Sequence, residues 1–398
     1  MSKINDLIKE MCPNGVECKT IGEICYFQNG YAFKSSLFKS KGDILLRITN
    51  IDGKKIDLSD VKYIDVFDYN IDLSPFKVGS DEIVIAMSGA TTGKIGINRT
   101  GKLLYLNQRV GKITPRDDRM NNHFLYHYLL NKVNYFYQLA GGGAQPNLSS
   151  DAIKNTIIPI PPIEVQEEIV RILDKFGELE AELEAELEVR KSQYEFWRGK
   201  IINMYDSKNI KLSDMAKIYD GTHSTPNYQE NGIPFISVEN ISNIYGTNKF
   251  ISKEDYKKYK IKPEINDVFM TRIGTIGKCS VFEKQINLAY YVSLALIRPN
   301  TEIILPKYLK YVIESNIGKD ELYKRTLVHA VPIKVNKDEI GKIVLPVPSI
   351  DDQKKIISKL DKFESLTESI SSGLPAEIEL RRQQYEYYRN KLLNFEVV

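Results

Sequence analysis

Two glycine-rich segments contain residue types that bind phosphate groups. They are SGATTGK, residues 88–94, and GTIGK, residues 274–278. Gly89 and Gly93 are one residue too close for the phosphate loop of nucleotide hydrolases, and Ile95 replaces the hydroxyl residue that binds magnesium there. The second segment is shorter still. Both segments favour a turn between strands, and nucleotide hydrolysis is therefore not expected.

The histidines and cysteines form no metal or nucleophile motif. His123 and His127 lie one helical turn apart, but the glutamate of the zinc motif HExxH is missing between them. His223 and His329 have no nucleophile motif beside them. The four cysteines show no CxxC and no paired spacing; they are Cys12, Cys18, Cys25 and Cys279. We therefore expect no metal, no cofactor and no catalytic site in this chain.

The elements that position these residues belong to more than one domain. A chain of 398 residues with 42% hydrophobic and 27% charged content is typical of a globular protein of two to three domains. No apolar run approaches the roughly 18 residues of a membrane span, and the start lacks a signal-peptide pattern, so a cytoplasmic protein is expected. The net charge of +3 leaves any phosphate binding to local clusters.

An internal repeat is the strongest pattern in the chain. Residues 159–176 align with residues 346–363 at an offset of 187, with 9 of 18 positions identical. Residues 190–204 align with residues 381–395 at an offset of 191, with 7 of 15 identical. The portions between these blocks keep similar apolar positions but differ in their polar residues. The sequence therefore predicts two copies of one unit that present different chemistry.

Each copy is predicted to hold a mixed domain followed by a long helix. Short β-branched runs with Gly, Asn and Asp between them predict strands within residues 20–115 and 210–300. Apolar residues from Ile169 to Ile201 recur every three or four positions, which predicts a coiled-coil helix of about 60 Å over residues 164–204. The second helix is capped by Ser349 and breaks near Gly373 and Pro375. The fold class is α+β, with two antiparallel helical regions and a pseudo-twofold repeat.

These motifs resemble the specificity subunit of type I restriction-modification enzymes. The resemblance rests on PIPPIEVQEEI followed by QYEFWRGK, on their variants PVPSIDDQKKI and QYEYYRNK, and on the repeated tetrapeptide EAEL within residues 178–188. It covers the full chain. It implies target recognition domains at 1–158 and 206–345, and helical spacers at 159–205 and 346–398. It also implies a non-catalytic subunit that binds a bipartite site on double-stranded DNA, two methyltransferase subunits and, in the full complex, the restriction (translocase) subunits.

Candidate DNA-binding residues follow from that implication, because base edges and phosphates are contacted by cationic, amide and hydroxyl side chains in loops. In the first domain they are Arg47, Asn50, Ser88, Thr91, Thr92, Lys94, Gln108 and Arg109. In the second domain they are Thr222, His223, Ser224, Thr225, Asn240, Arg272, Thr275, Lys278, Tyr290 and Tyr291. The cluster KKYK, residues 257–260, is a candidate phosphate patch, although an ordinary solvated helix face fits it equally well.

Aromatic residues at matching places in the two helices are candidate contacts for the methyltransferase subunits. They are Tyr194, Trp197, Tyr385 and Tyr388, with coiled-coil core packing as the larger part of their role. The N-terminal helix, which carries Ile4 and Leu7, is predicted to pack near the end of the second helix. The alternative function is a coiled-coil scaffold whose two heads bind proteins, which the near-neutral charge permits.

Overall fold

The computed structural model describes residues 2–141, 146–367 and 373–395, and the chain divides into two compact units. Unit 1 comprises residues 1–182 and 379–398, and unit 2 comprises residues 183–378. Each unit contains strands, short helices and parts of the long helices. The predicted mixed fold class with long helices is therefore confirmed.

The strands and helices of unit 1 follow the chain in this order. The helices are α1 Ser2–Met11, α2 Ile21–Ile24, α3 Asn122–Asn131, α4 Val133–Leu139 and α5 Ser150–Lys154, followed by α6 Ile163–Ile202, which continues into unit 2. The strands are β1 Glu17–Thr20, β2 Cys25–Asn29, β3 Asp43–Leu46, β4 Lys62–Ile64, β5 Lys77–Val78, β6 Ile83–Ala86, β7 Ile95–Ile97, β8 Leu104–Leu106, β9 Val110–Pro115 and β10 Ile157–Ile160.

Unit 2 repeats this order. Its helices are α7 Leu212–Met215, α8 Lys253–Lys257, α9 Pro306–Glu314, α10 Asn316–Tyr323, α11 Lys337–Ile340 and α12 Ile350–Thr367, and the last helix of the chain, α13 Leu374–Leu392, belongs mainly to unit 1. Its strands are β11 Lys208–Lys211, β12 Ala216–Asp220, β13 Ile233–Ile236, β14 Phe250–Ile251, β15 Val268–Ile273, β16 Thr275–Val281, β17 Ala289–Tyr290, β18 Leu294–Pro299 and β19 Val344–Val347.

The sheets of the two units correspond one to one. The antiparallel sheet β2-β9-β6-β7 of unit 1 matches β12-β18-β15-β16 of unit 2, and the pair β1-β10 matches β11-β19. A third sheet in each unit contains one parallel pair, β3 with β8 and β13 with β17. The edge strand β5 extends this sheet in unit 1. The internal repeat in the sequence is thus a repeat of topology.

The central strand of each main sheet is covered on both faces. Ile83 and Ile85 of β6 pack into one hydrophobic core, while Val84 packs into another on the opposite face. In β15, Met270 packs into one hydrophobic core and Phe269 packs into another on the opposite face. Successive side chains of a strand point to opposite faces, so a continuous apolar run is expected in a strand buried on both sides.

The long helices pair antiparallel within each unit. In unit 1, Phe176 of α6 stacks on Tyr388 of α13 with ring centroids 5.3 Å apart. In unit 2, Tyr194 of α6 stacks on Phe363 of α12 at 6.5 Å. The break at Gly373 is confirmed, since α12 ends before it and α13 begins after it with Gly373 at a φ of 77°. Ile4 of α1 is buried in the same core as Leu392, which confirms the predicted place of the N-terminal helix.

A buried glutamine joins the long helix to the head in both units. The Gln166 side chain accepts from the Asn121 backbone N–H and donates to the carbonyls of Arg119 and Pro161, each at 2.8 Å. Gln353 accepts from the Leu305 N–H at 2.8 Å and donates to the carbonyls of Ile303 and Pro348. This conserved position in the repeat therefore has a structural role, because it satisfies backbone groups that are otherwise buried without partners.

Candidate DNA-binding surfaces

Three loops of unit 1 bring most of its predicted DNA-binding residues together. They are residues 47–60, 87–94 and 107–109. The Thr91 hydroxyl donates to the Ile48 carbonyl at 3.1 Å, which joins the first two loops. The Met87 N–H donates to the Arg109 carbonyl at 2.9 Å, which joins the second and third. The ends of strands β3, β6, β8 and β9 hold these loops in place.

The side chains that this loop cluster presents to solvent are a mixture of cations, amides and hydroxyls. Gln108 and Arg109 are exposed, and the Arg109 guanidinium donates to Asn147 Oδ1 at 3.1 Å. Arg47 is half-buried and lies 3.5 Å from the exposed Asp60 carboxylate. Ser88, Thr91 and Lys94 are also half-buried. These groups are of the kinds that bind phosphate oxygens and base edges.

Two predicted residues of unit 1 instead hold the loops internally. Asn50 is buried, and its Oδ1 accepts from the Arg47 N–H while its Nδ2 donates to the carbonyls of Asp57 and Asp60. Thr92 is buried, and its hydroxyl donates to the carbonyls of Gly89 and Pro146. Their polar groups already have partners within the chain. We therefore leave both residues out of the proposed DNA surface.

Loops of unit 2 meet in a related arrangement at the ends of β12, β15 and β18. The Val292 N–H donates to the Thr222 carbonyl at 2.9 Å, and the Arg272 N–H donates to the Ser293 carbonyl at 3.0 Å. Tyr291 forms a bridge with Thr222, and it is half-buried. Asn240 is half-buried, and its Oδ1 accepts from the Ser237 N–H. Asn240 thus caps its own turn.

Arg272 and Tyr290 of unit 2 are interior residues. The Arg272 guanidinium donates to the Val292 carbonyl at 2.8 Å and forms an ion pair with Asp220 at 2.7 Å. The Tyr290 hydroxyl donates to the Asp220 carbonyl at 3.3 Å, and burial raises the pKa of Tyr290. A bare charge is unfavourable in the apolar run that contains Arg272, and Asp220, 52 residues away in sequence, neutralises that charge. Arg272 is left out of the proposed surface for that reason.

A cavity of 580 Å³ in unit 2 joins two predicted clusters. Thr222, Ser224 and Thr225 line one side, and Lys258 and Lys260 of the KKYK cluster line the other. Lys258 is paired with Asp255 at 2.6 Å, and no ion pair involving Lys260 is found within the described residues. Thr275 and Lys278 are exposed on the β15-β16 hairpin, and His223 is exposed beside Ser224. Unit 2 therefore presents hydroxyl and ammonium groups on these loops, whereas the exposed residues of the loop 107–109 in unit 1 are Gln108 and Arg109.

The two histidines of α3 form a polar cluster with Asp174 of α6, in which His127 is buried and His123 and Asp174 are half-buried. The Asp174 carboxylate lies 2.9 Å from His127 Nε2 and 3.2 Å from His123 Nδ1, and the Tyr385 hydroxyl lies 3.1 Å from His127 Nδ1. Burial lowers the pKa of His127, although the Asp174 hydrogen bond opposes it. Burial raises the pKa of Asp174, but hydrogen bonds from both histidines outweigh it, and the net shift is downward. At neutral pH His127 is therefore uncharged and Asp174 is ionised. Within the described residues, no cluster of His, Cys, Asp and Glu side chains that could hold a metal ion is found.

Of the four predicted partner-binding aromatics, two are interior residues. Tyr194 and Tyr385 are buried at the helix–head junction of their units, and Tyr388 is half-buried on Phe176. Trp197 is 42% exposed. The core-packing share predicted for these aromatics is thus large, and Trp197 is the one of the four with a large accessible surface.

Exposed apolar residues on the same helices form a stripe that the sequence analysis missed. In α6, Val189 and Phe196 are 56% and 55% exposed, and in α13, Leu380 and Tyr387 are each 60% exposed. The two pairs are related by the offset of 191 residues and each spans two helical turns. The sequence signal is that apolar residues recur at this offset outside the predicted seam, with Phe196 and Tyr387 inside the aligned blocks and Val189 and Leu380 one residue before them. We call Val189, Phe196, Leu380 and Tyr387 the exposed stripes.

Comparison with known proteins agrees with this arrangement. The family model of the type I restriction modification DNA specificity domain matches residues 13–189 and again residues 204–380. The chain belongs to this family, and it is a type I restriction-modification specificity subunit with two DNA-recognition domains. The EcoR124I/EcoR124II specificity subunit of Escherichia coli is 33% identical over 267 residues, which cover 62% of this chain and 65% of that protein.

Two solved structures share the fold. The type I restriction-modification S subunit from M. genitalium superposes with a TM-score of 0.51 at 16% identity, covering 96% of this chain and 97% of the other. The second is a chain from a structural study of complex assembly and conformational transition of the type I restriction-modification system. It superposes with a TM-score of 0.59 at 16% identity, covering 96% of this chain and 98% of the other. At this identity the likeness concerns the fold. Among the described helices, none has both the length and the apolar character that crossing a bilayer requires.

Proposed function

We propose that this chain is the non-catalytic subunit that selects the DNA sequence for a type I restriction-modification complex. Its recognition domains, residues 1–158 and 206–345, each bind one half of a bipartite site, and the spacers, residues 159–205 and 346–398, set the distance between the halves. The observation that carries the proposal is that one topology occurs twice and holds different side chains at the same strand ends. Two different half-sites require such a pair of frames.

The DNA surface of unit 1 consists of Arg47, Ser88, Thr91, Lys94, Gln108 and Arg109. That of unit 2 consists of Thr222, Ser224, Thr225, Asn240, Thr275, Lys278 and Tyr291. Cations among them neutralise phosphates, so binding weakens steeply as salt rises. The test is sequencing of methylated adenines in DNA exposed to this chain with its methyltransferase subunit. Methylation within one bipartite sequence supports the proposal, and methylation that does not depend on this chain refutes it.

The spacer proposal has its own experiment. Inserting one more EAEL after Leu187 lengthens α6 by about 6 Å. The expected result is a longer gap between two unchanged half-sites in the methylated sequence. The matched control is Glu186→Ala, which changes EAEL at residues 184–187 to EAAL without changing its length and leaves the gap unchanged. An unchanged gap after the insertion refutes the role of α6 as a spacer.

We further propose that the exposed stripes, together with Trp197, bind the two methyltransferase subunits, with the restriction subunits joining in the full complex. The stripes occupy equivalent positions in the two copies, so they offer the same surface twice. Lys200 and Lys391 lie over the aromatic rings of Phe196 and Tyr387 at 4.6 and 6.0 Å, which gives both stripes a cationic edge. Exposed aromatics beside cations are typical of protein-binding surfaces.

Substitution of one stripe at a time tests the stoichiometry. Phe196→Ala and Tyr387→Ala are each expected to leave one methyltransferase subunit bound instead of two, as measured by native mass spectrometry. Glu167→Ala, an exposed residue of α6 far from the first stripe, is the control for a polar change on the same helix. Retention of two subunits in both stripe variants contradicts the docking proposal without affecting the proposed recognition of DNA.

A further inference from the structure

Lys54 lies where the loop of residues 47–60 meets the long helices of unit 1. Its ammonium group is 3.0 and 3.2 Å from the two carboxylate oxygens of Glu180 on α6. Its backbone carbonyl accepts a hydrogen bond from the Tyr126 hydroxyl of α3. The ammonium group also lies 5.9 Å from the centre of the Tyr385 ring on α13. The Lys54 side chain therefore contacts α6 and α13, and its backbone contacts α3.

Glu180 is shared between the loop and the second long helix. Arg382 of α13 donates to Glu180 Oε1 at 2.6 Å, on the same carboxylate that holds Lys54. The Glu180 side chain is buried, in contrast to Glu182 two residues later, which is exposed. Burial raises the pKa of Glu180, but hydrogen bonds from Arg382 and Lys54 outweigh it, so the net shift is downward and the carboxylate is ionised. Within the EAEL segment, Glu180 thus connects the loop of residues 47–60 with α13.

The same loop positions predicted DNA-binding residues. The buried Asn50 side chain bonds the Arg47 N–H at one end and the carbonyls of Asp57 and Asp60 at the other. The Asp57 N–H also donates to the Asn50 carbonyl at 2.8 Å. Residues 47–60 are therefore one hydrogen-bonded loop, and its attachment at Lys54 fixes where Arg47 lies. Thr91 bonds to Ile48 in this loop, so the neighbouring hairpin depends on the same attachment.

Unit 2 attaches its equivalent loop differently. There Lys310 and Tyr311 of α9 bond to Glu364 of α12, and the loop at Asn243 and Tyr245 faces them across a cavity of 260 Å³. Among the described residues, no side chain of this loop forms an ion pair with α6, α12 or α13. Its ion pair between Lys249 and Glu239 lies within the loop itself. Within the part of the chain that the structure describes, an ionic attachment of the recognition loop to the long helices is thus found in unit 1 and not in unit 2.

We infer that Glu180 is a positioning residue for DNA recognition: through Lys54 it fixes loop 47–60 of unit 1 on the helix pair, so that the stringency of one half-site depends on a residue of the spacer helix. This inference rests on the proposed function. Small displacements of a binding loop reduce discrimination far more than they reduce overall affinity when phosphate contacts supply most of that affinity. The second half-site does not depend on Glu180.

The experiment compares methylated sequences selected from a randomised DNA library by the complex containing Glu180→Gln, Lys54→Met or both. The half-site of unit 1 is defined independently as the one altered by Arg109→Ala. We expect each single variant to reduce discrimination in that half-site by about three- to tenfold per affected base pair, with the other half-site and the gap unchanged. The double variant is expected to match the single ones, because both remove the same attachment. Glu182→Gln is the matched control and leaves both half-sites unchanged.

Unaltered stringency in Glu180→Gln and Lys54→Met overturns the inference, and so does an equal loss in both half-sites. The Lys54 side chain is half exposed, so Lys54→Met decides the matter if Glu180→Gln fails to fold. If the wild-type complex directs no sequence-specific methylation, the proposed function itself fails. That outcome is distinct from a wild-type complex whose half-site is insensitive to Glu180.

Discussion

Unit 1 and unit 2 use the same joint between head and helix but fill it with different side chains. The glutamine is identical, with Gln166 and Gln353 bonding equivalent backbone groups. Next to it, Asp174 of unit 1 is bound by His123 and His127. In unit 2 the equivalent aspartate, Asp361, is bound by a lysine and a tyrosine, Lys307 and Tyr311. The glutamine contacts to the backbone are thus the same in both units, whereas the side chains that bind the aspartate differ.

The loops at the strand ends have diverged further. Unit 1 ties its loop to the helices through Lys54, whereas unit 2 has a cavity at the equivalent place. Unit 1 leaves Arg109 exposed, and unit 2 buries Arg272 against Asp220. The comparison shows that a duplicated frame constrains topology and the backbone contacts of the joint. It leaves the polar surface free to change, as the proposed recognition of two different half-sites requires.

The largest expected effect tests whether the glutamine joint is equivalent in the two units. Gln166→Ala leaves one N–H and two carbonyls without partners in unit 1, and Gln353→Ala does the same in unit 2. Each buried polar group left unpaired costs roughly 1–3 kcal/mol, so a loss of about 3–5 kcal/mol is expected in the unit concerned. Hydrogen–deuterium exchange resolved by peptide measures it. The exposed Glu167→Ala is the control, and effects that appear in the other unit would contradict the separation of the joints.

Next in size is the contrast between two arginines. Arg272→Met removes the partner of Asp220 inside unit 2, and we expect a loss of about 2–3 kcal/mol because a half-buried carboxylate is left unpaired. Arg47→Met in unit 1 removes a pair with an exposed aspartate and should cost at most about 1 kcal/mol. Urea unfolding compares the two variants. Equal losses of unfolding free energy in the two variants would show that burial of the ion pair does not determine its contribution to stability.

The exposed cations are expected to alter recognition and leave stability unchanged. Arg109→Ala in unit 1 and Lys278→Ala in unit 2 should each weaken DNA binding by about 1 kcal/mol and reduce the slope of log affinity against log salt by roughly one where the lost contact is to a phosphate. Fluorescence anisotropy over a salt series measures both. Glu254→Gln is the control for net charge. It makes the net charge more positive by one, whereas each of the two variants makes it less positive by one. A slope that stays constant in both variants would place these cations outside the DNA surface.

The smallest expected effect is a loss of stability of unit 1 at acidic pH, caused by His127. The folded-state pKa of His127 is lowered, so the unfolded chain binds more protons below its own pKa of about 6.5. The stability of unit 1 is therefore complete above about pH 6.5 and falls as the pH decreases, by at most about 1.4 kcal/mol per pH unit from this group. Arg99, His123, Tyr385 and Asp174 surround it, and Asp174 loses its contribution only below about pH 3.9.

Urea unfolding of each unit at pH 7.5 and 5.5, followed by peptide-resolved exchange, measures this difference. Unit 1 is expected to lose stability and unit 2, which has Tyr311 in place of the histidine, to lose less. His127→Gln should reduce the pH dependence of unit 1 toward that of unit 2. If the variant keeps the full dependence, His127 is not its source.

The sequence predicted features that depend on local pattern or on self-similarity. The long helix, the break at Gly373, the cap at Ser349 and the two-copy topology were all expected, and the Asp352 N–H does bond the Ser349 hydroxyl at 3.2 Å. Helical periodicity and glycine at a positive φ act over a few residues, so a single sequence reveals them.

Features that depend on distant partners were not predictable in the same way. Arg272 looked available for DNA because its partner, Asp220, lies on another strand. Asn50 and Thr92 have the right chemistry for DNA, but neighbouring loops already use it. Glu180 looked like its five neighbours in the EAEL segment until the fold placed Lys54 and Arg382 beside it. Residue type gives chemical capacity, whereas burial and pairing come from tertiary contacts.

Unit 1 is assembled from the two ends of the chain, since its core includes Tyr385, Leu392 and Leu393 as well as Ile4. During synthesis, unit 2 has all of its residues once position 378 has left the ribosome, while the head made first still lacks part of its core. The order of completion is thus the reverse of the order of translation. A message truncated between codons 379 and 398 would yield a protein that has all residues of unit 2 and a unit 1 whose apolar surface stays uncovered, which favours aggregation.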